Sequence, residues 1–222
     1  MVGVKGGYPV SNHTVITIGR QLGSGGREIG QMLAGKLGIN YYDKELLAAA
    51  AKESGLAQEL FENHDEKPTN SFLYSLVMDT YSLGYSSGTF HELPLNHKIF
   101  LAQFDTIKKI AEEESCVIVG RCADYALADF KNCVKVFIHA DMDYRIRRVS
   151  ERHDLTPAKA REEILKTDKK RASYYNYYTS KRWGEAAGYD LCLDSSVIGN
   201  EHAVQMICQF IEMKKASEQI QD

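Results

Sequence analysis

The stretch VITIGRQLGSGGREIG, residues 15–30, contains a glycine-rich segment of the kind that binds phosphate. A β-branched run precedes the glycines, and a helical pattern follows them. Successive backbone N–H groups of such a loop form a nest for an anion, and the following helix adds the positive end of its dipole. The residues predicted to bind phosphate are Gly23, Ser24, Gly25, Gly26 and Arg27. A tight turn with a purely structural role is the alternative.

The loop departs from the common phosphate-loop pattern GxxxxGK[ST]. Arg20 stands at its first glycine, Gly26 stands at its lysine, and Arg27 follows. The dinucleotide fingerprint GxGxxG also fails, because Glu28 occupies its last glycine. Phosphoryl transfer depends on positioning and on charge neutralisation, so Arg27 is a candidate substitute for the lysine and a candidate catalytic residue.

Two more charged residues follow predicted strands. Asp43 lies in YYDKELL, residues 41–47, and Arg121 lies in VIVGRCAD, residues 117–124. Because the carboxyl ends of parallel strands meet at one edge of a sheet, both side chains are predicted to share a cleft with the glycine loop. The alternative for Arg121 is a helix cap or an ion pair with a neighbouring carboxylate.

Positive charge is concentrated in residues 145–182, which hold 12 Lys and Arg against five Asp and Glu. The rest of the chain holds 15 against 25, and the net charge of the whole chain is −3. A basic segment in an acidic protein favours a surface that handles polyanions, with an ordinary solvated helix as the alternative.

The basic segment includes DKKRASYYNYYTSKRW, residues 168–183, which is predicted to be helical. Helical spacing puts Asp168 and Arg171 on one face, so Asp168 is either a site residue or an ion partner for Arg171. Tyr174 and Tyr178 lie one turn apart, which fits either helix packing or a platform on which bases stack.

Short β-branched runs alternate with helical patterns, which predicts an α/β fold with a parallel sheet flanked by helices. Residues 29–37 have helical spacing after the loop, and Gly38 is predicted to end that helix. Thr156, followed by proline, is predicted to begin a helix that runs to about Tyr178. The predicted strands are TVITI (14–18), INYY (39–42), CVIVG (116–120), VKVFIH (134–139) and DLCL (190–193).

The chain has 222 residues and 44% hydrophobic content, which suits one domain. Residues 1–13 are expected to be a flexible lead-in, and residues 54–97 are predicted to form an inserted helical subdomain or flap. No apolar run approaches the roughly 20 residues that span a bilayer, so no membrane partner is expected. The five cysteines form no CxxC pair, and free thiols in a reducing cytosol predict a cytoplasmic protein.

Together, GSGGREIG, YYDKELL and VIVGRCAD resemble the cytidylate kinase-like branch of the nucleoside monophosphate kinases, over about residues 14–196. The resemblance implies a P-loop nucleotide kinase fold over residues 14–222, with about five parallel strands, an acceptor-binding insert and an arginine-bearing lid at residues 154–183. It implies transfer of the ATP γ-phosphoryl group to a nucleoside monophosphate, cytidylate first, with ATP and Mg²⁺ as cofactors.

On this resemblance, residues 23–27 bind the donor phosphates, Asp43 and Arg121 bind the acceptor, and Arg171 is a catalytic lid residue. This chain departs from the family pattern at the loop, where Gly26 stands in place of the lysine and Glu28 lies near the position of the hydroxyl residue that follows it, and at two further places. Val119 replaces the acid before the Gly-Arg pair that ends at Arg121, and the Thr-Gly that follows the acceptor acid is absent. Metal ligands remain unassigned, although Ser24, Glu28 and Asp43 carry oxygen atoms close to the loop.

Three hypotheses follow from the sequence. The first is a kinase that acts on a nucleoside monophosphate or a related small phosphorylated acceptor. The second is a non-catalytic nucleotide-binding or regulatory protein on the same fold, which the missing lysine favours. The third is an RNA-binding protein that uses the Arg/Tyr segment, although the net charge of −3 and the lack of a recognised RNA-binding motif count against nucleic acid.

Overall fold

A computed structural model describes residues 13–55, 57–64 and 94–221 of the protein. The strands are β1 (Val15–Arg20), β2 (Asn40–Tyr42), β3 (Cys116–Val119), β4 (Cys133–His139) and β5 (Leu191–Asp194). The helices of the described residues are α1 (Gly26–Leu37), α2 (Glu45–Ser54), α3 (Gln58–His64), α4 (Leu95–Glu113), α5 (Ala123–Ala126), α6 (Met142–His153), α7 (Pro157–Thr179) and α8 (Ser195–Gln221). A short 3₁₀ helix spans Ala186–Gly188, and non-helical backbone at Gly199 interrupts α8.

The five strands form one parallel sheet in the order β2-β3-β1-β4-β5. The predicted α/β fold, with a five-stranded parallel sheet flanked by helices, is confirmed. β1 extends two residues beyond its predicted end, because Gly19 and Arg20 continue the register with Phe137 and Ile138 of β4. The extension carries an arginine to the carboxyl edge of the sheet.

Apolar residues cover both faces of the sheet. On one face, α1 and α8 bury Ile29, Leu33 and Ile207 against β-branched residues of β1, β3 and β4. On the other face, α4 and α5 bury Ile107 and Leu127 against β1 and β3. Each such side chain contributes about 1.5–3 kcal/mol relative to an exposed one. The apolar faces of α1 and α4 thereby fix the loops at the carboxyl edge between two packed layers.

The helix after the loop ends as predicted, because Gly38 adopts a left-handed conformation with φ of 65° and closes α1 through a bond from its N–H to Ala34 O. Only the ends of the predicted insert at residues 54–97 are described: α2 ends at Ser54, α3 follows, and α4 begins at Leu95. Most of the insert, including its helical stripe, lies outside the described residues, as do residues 1–12 of the predicted lead-in.

The long basic helix begins where the sequence predicts. The side chain of Thr156 caps α7 by accepting a bond from the Lys159 N–H, and Pro157 is the first helical residue. Tyr178 is buried and stacks on Phe100 of α4, with ring centroids 4.1 Å apart and planes at 8°. Tyr174 is also buried, so packing rather than stacking on exposed nucleic-acid bases accounts for this tyrosine pair.

Three of the five cysteines are buried and form no disulfide: Cys116, Cys122 and Cys133. Burial raises the pKa of the Cys116 and Cys133 thiols to about 12, so both stay protonated and behave as small apolar side chains. Among the described residues, no helix has both the length and the apolar character to cross a membrane.

Candidate active site

The glycine loop joins β1 to α1 in a conformation that requires glycine at two positions. Gly23 and Gly25 adopt positive φ angles of 80° and 82°, and Gly25 is the N-cap of α1. A Cβ atom at Gly23 would lie 2.9 Å from the Arg145 carbonyl oxygen, and one at Gly25 would lie 2.6 Å from Asn200 Oδ1. The loop therefore presents the first turn of α1, whose N–H groups have no intrahelical acceptor, as a place for an anion.

Replacing Gly25 by alanine is expected to destabilise the protein by about 1–3 kcal/mol and to weaken anion binding, because alanine resists positive φ and would contact Asn200. Urea unfolding and titration with ATP measure the two effects. The matched control is Gly35→Ala within α1, where a Cβ meets nothing within 4 Å and roughly 0.5–1 kcal/mol of stabilisation is expected. Unchanged ATP affinity in Gly25→Ala would remove the loop from the site.

Side chains from α6 and α7 hold the start of the loop. The Asp168 carboxylate accepts the Leu22 N–H at 2.8 Å and pairs with the Arg145 guanidinium. Arg145 also donates from Nε to the Leu22 carbonyl at 2.8 Å and is almost fully buried. The predicted pair between Asp168 and Arg171 is therefore replaced by a pair with Arg145. This clamp holds α7 against the loop.

Asp43 connects the loop to the turn after β3. Its Oδ2 lies 2.9 Å from Arg27 Nε, and its Oδ1 accepts a bond of 2.8 Å from Arg121 Nη1. Asp43 and Arg121 are both buried, whereas the Arg27 side chain is 48% exposed. The structure thus brings together Arg27, Asp43 and Arg121. The ion pair that the sequence offered as an alternative for Arg121 is present, and its carboxylate is that of Asp43.

The turn after β3 has unusual backbone geometry. Gly120, Arg121 and Cys122 adopt positive φ angles of 78°, 53° and 55°. Such conformations cost about 1–3 kcal/mol each for residues other than glycine, and they cluster at functional sites. The turn lets Arg121 Nη1 donate to the Val119 carbonyl at 3.0 Å while the same atom bonds to Asp43. Arg121 is therefore held in place by backbone and side chain together.

A narrow cleft lies beside this turn, at the carboxyl ends of β1 and β3. Its lining includes Arg20, Arg121, Asp124, Arg171, Tyr175 and Trp183. Arg171 reaches the cleft from α7 and donates from Nη1 to the Arg20 carbonyl at 3.2 Å. Arginines are suited to bidentate binding of phosphate, and aromatic walls are suited to a ring. The cleft therefore has the chemistry to bind a phosphorylated ring compound.

Asp124 is a cleft residue that the motifs did not single out, although it belongs to VIVGRCAD. Its Oδ2 accepts a bond of 2.6 Å from the Tyr175 hydroxyl. Burial raises the pKa of the Asp124 carboxyl above its usual range. The signal in the sequence was that Asp124 lies three residues after Arg121. Only the fold shows that Asp124 faces α7.

Replacing Asp124 by asparagine is expected to change how stability depends on pH. The folded pKa of Asp124 is raised, so the folded state holds a proton that the unfolded chain releases near pH 3.9. The contribution of this carboxyl to the free energy of unfolding therefore falls as pH rises from that value through the folded pKa. Urea unfolding of both proteins across this range should show the wild type losing stability relative to Asp124→Asn. A constant difference would contradict the raised pKa.

The residues near the loop do not fit a magnesium site built by protein carboxylates. Glu28 pairs with Arg148 and Arg152, and it accepts a bond of 3.0 Å from Asn200. Asp43 lies between two arginines, and Ser24 Oγ donates to the Gln21 carbonyl. In the described ranges, no group of three or more His, Cys, Asp or Glu residues could hold a metal ion. No step of the chemistry is assigned to a metal held by these side chains.

The sheet order and the glycine loop before α1 define a P-loop kinase fold. Among solved structures, a shikimate kinase from Bacteroides thetaiotaomicron aligns with 90% of this chain and 98% of its own, at a TM-score of 0.51 and 16% identity. At that identity the similarity concerns the fold alone. An uncharacterized protein from Eubacterium ventriosum is 31% identical, with a TM-score of 0.68, and the alignment covers 91% of this chain and 99% of that one.

The family is also identified by sequence. The model of the cytidylate kinase-like family matches residues 15–197, and the chain belongs to this family. A cytidylate kinase from Halobacterium salinarum is 24% identical over 103 residues, which are 46% of this chain. The matched region spans 53% of the length of that relative. The resemblance deduced from GSGGREIG, YYDKELL and VIVGRCAD is confirmed at the level of the family.

Proposed function

We propose that this protein transfers the γ-phosphoryl group of ATP to a nucleoside monophosphate, with cytidylate as the first candidate. One observation carries the proposal: the glycine loop and the arginine cleft lie at the same edge of the sheet, joined by Asp43 between Arg27 and Arg121. Ligands of open α/β sheets bind at the carboxyl ends of the strands, where the strand order reverses. Membership of the cytidylate kinase-like family supports the same reaction.

The proposal assigns the donor to the loop and the acceptor to the cleft. The N–H groups of residues 23–27 bind the donor phosphates, with the Arg27 guanidinium as a further contact. Arg121, oriented by Asp43, binds the acceptor phosphate. Arg171 lies on α7 and contacts the loop strand at the Arg20 carbonyl, which supports a role at the transferring group.

The chemistry needs positioning and charge neutralisation rather than a covalent enzyme intermediate. An oxygen of the acceptor phosphate forms a bond to the γ-phosphorus of ATP. The bond from that phosphorus to the bridging oxygen breaks, and ADP leaves with the electron pair. The arginines of the cleft stabilise the charge on the transferring group.

A non-catalytic nucleotide-binding role is the second candidate. Glycine at the lysine position favours this role. Glu28 also favours it, because its carboxylate forms ion pairs with two arginines and so does not present a free oxygen beside the loop. This candidate predicts ATP binding without turnover.

A screen of ATP consumption with magnesium present tests the proposal. Each nucleoside monophosphate is supplied in turn, beside an unbiased metabolite pool, and ATP binding is measured separately by calorimetry. Consumption that depends on one monophosphate supports the kinase. ATP binding with no consumption under any condition supports the second candidate, and a lack of ATP binding contradicts both.

A further inference from the structure

Two positions of the glycine loop differ from the common phosphate-loop pattern in a complementary way. Position 20 has arginine where the pattern has glycine, and position 26 has glycine where the pattern has lysine. Relative to that pattern, this chain has a cation at position 20 and none at position 26.

The two positions are in direct contact. A Cβ atom at Gly26 would lie 2.5 Å from Arg20 Cβ and 3.3 Å from Arg20 Cγ, and it would also lie 3.3 Å from Ile138 Cβ. Real Cβ atoms do not approach other atoms to 2.5 Å, and Arg20 is fixed there by its place in β1. A lysine at position 26 and an arginine at position 20 therefore exclude each other, and glycine at position 26 makes room for Arg20.

Arg20 lies where a phosphate-binding cation is needed. It is 9% exposed, ends β1, and lines the cleft beside Arg121 and Arg171.

Arg27, the substitute that the sequence favours, is more exposed than Arg20, with nearly half of its side chain open to solvent. Arg20 is buried at the end of β1, between the glycine loop and the cleft, where a fixed charge in a lower dielectric acts more strongly on a phosphate.

We infer that Arg20 supplies the cation that the phosphate-loop lysine supplies elsewhere, and that Gly26 is the reciprocal change that admits it. The inference rests on the proposed function for the identity of the ligand, the donor phosphates of ATP. The guanidinium group of Arg20 has its N–H donors in a fixed planar arrangement, so it can bind two phosphate oxygens. A lysine binds as a point charge.

The test compares Arg20→Ala, Gly26→Lys, the double variant Arg20→Gly/Gly26→Lys, and Arg27→Ala. Arg147→Ala is the matched control, because Arg147 is an exposed arginine of α6. Three quantities are measured for each protein: the melting temperature, ATP affinity by calorimetry, and turnover with the monophosphate found by the screen.

Arg20→Ala is expected to keep its fold and to lose about 10²-fold or more in turnover, together with some ATP affinity. Gly26→Lys alone is expected to melt lower than the wild type, because its Cβ meets Arg20. The double variant should recover the melting temperature relative to Gly26→Lys, and recover ATP affinity and turnover relative to Arg20→Ala. Arg147→Ala should match the wild type.

Full turnover and ATP affinity in Arg20→Ala would overturn the inference, and so would a larger loss in Arg27→Ala than in Arg20→Ala. A double variant no more stable than Gly26→Lys would contradict the reciprocal exchange. If the wild type binds ATP without turnover, the proposed reaction fails, but the ATP affinities of Arg20→Ala and the double variant still decide the role of Arg20. A wild type that does not bind ATP contradicts both proposals.

Discussion

Replacing Arg171 by alanine is expected to reduce the turnover number by about 10²-fold or more while ATP affinity changes far less. Arg171 lies on α7, lines the cleft and donates to the Arg20 carbonyl. In the proposed reaction its guanidinium stabilises charge that develops on the transferring phosphoryl group, so its contribution is greatest in the transition state. Steady-state kinetics with the identified monophosphate, together with calorimetry for ATP, separate the two effects.

The matched control is Arg161→Ala, which removes an exposed arginine from the same helix. It should leave turnover, ATP affinity and the melting temperature unchanged. A turnover number for Arg171→Ala equal to that of the wild type would make α7 an ordinary charged helix. Equal losses of turnover and ATP affinity would mean that Arg171 acts in the ground state.

Replacing Asp43 by alanine is expected to lower the free energy of unfolding by about 3–5 kcal/mol. The reason is burial: the Arg121 side chain is 2% exposed and would lose the carboxylate that compensates its charge. The same change removes the carboxylate that orients Arg121 in the proposed acceptor site, so acceptor affinity should fall as well. Urea unfolding measures the first effect, and the Michaelis constant for the acceptor measures the second.

Asp129→Ala serves as the control for Asp43→Ala, because Asp129 is an exposed aspartate beyond the short helix α5. Surface substitutions of this kind usually change stability by less than about 0.5 kcal/mol. If Asp43→Ala unfolds at the same urea concentration as this control, Asp43 does not hold the two arginines in place. The glycine loop and the cleft would then not be linked through Asp43.

The sheet and the loop were predictable because their signals are local. The runs CVIVG and VKVFIH are rich in β-branched residues, as is typical of buried parallel strands. The glycines at positions 23 and 25 report backbone angles that other residues resist, and the structure has positive φ at both. Thr156 and the proline after it marked the start of α7 for the same kind of local reason.

The contacts that define the site were not predictable, because they join residues far apart in the chain. The partner of Asp168 is Arg145 on another helix rather than Arg171 on its own, since packing of α7 on α6 decides which side chains meet. The contact between positions 20 and 26 depends on the turn of the loop. Asp124 stood within a recognised stretch, but its contact with Tyr175 of α7 follows only from the fold.

Direct transfer of labelled phosphate is the most decisive measurement. The protein is incubated with magnesium, cytidylate and ATP labelled in the γ-phosphoryl group, and the nucleotides are separated. We expect label in cytidine diphosphate or, if the screen identifies another acceptor, in the corresponding diphosphate. Arg121→Ala should lower the yield, because Arg121 binds the acceptor in the proposed reaction. Bound ATP with no labelled diphosphate from any nucleoside monophosphate would contradict the kinase assignment.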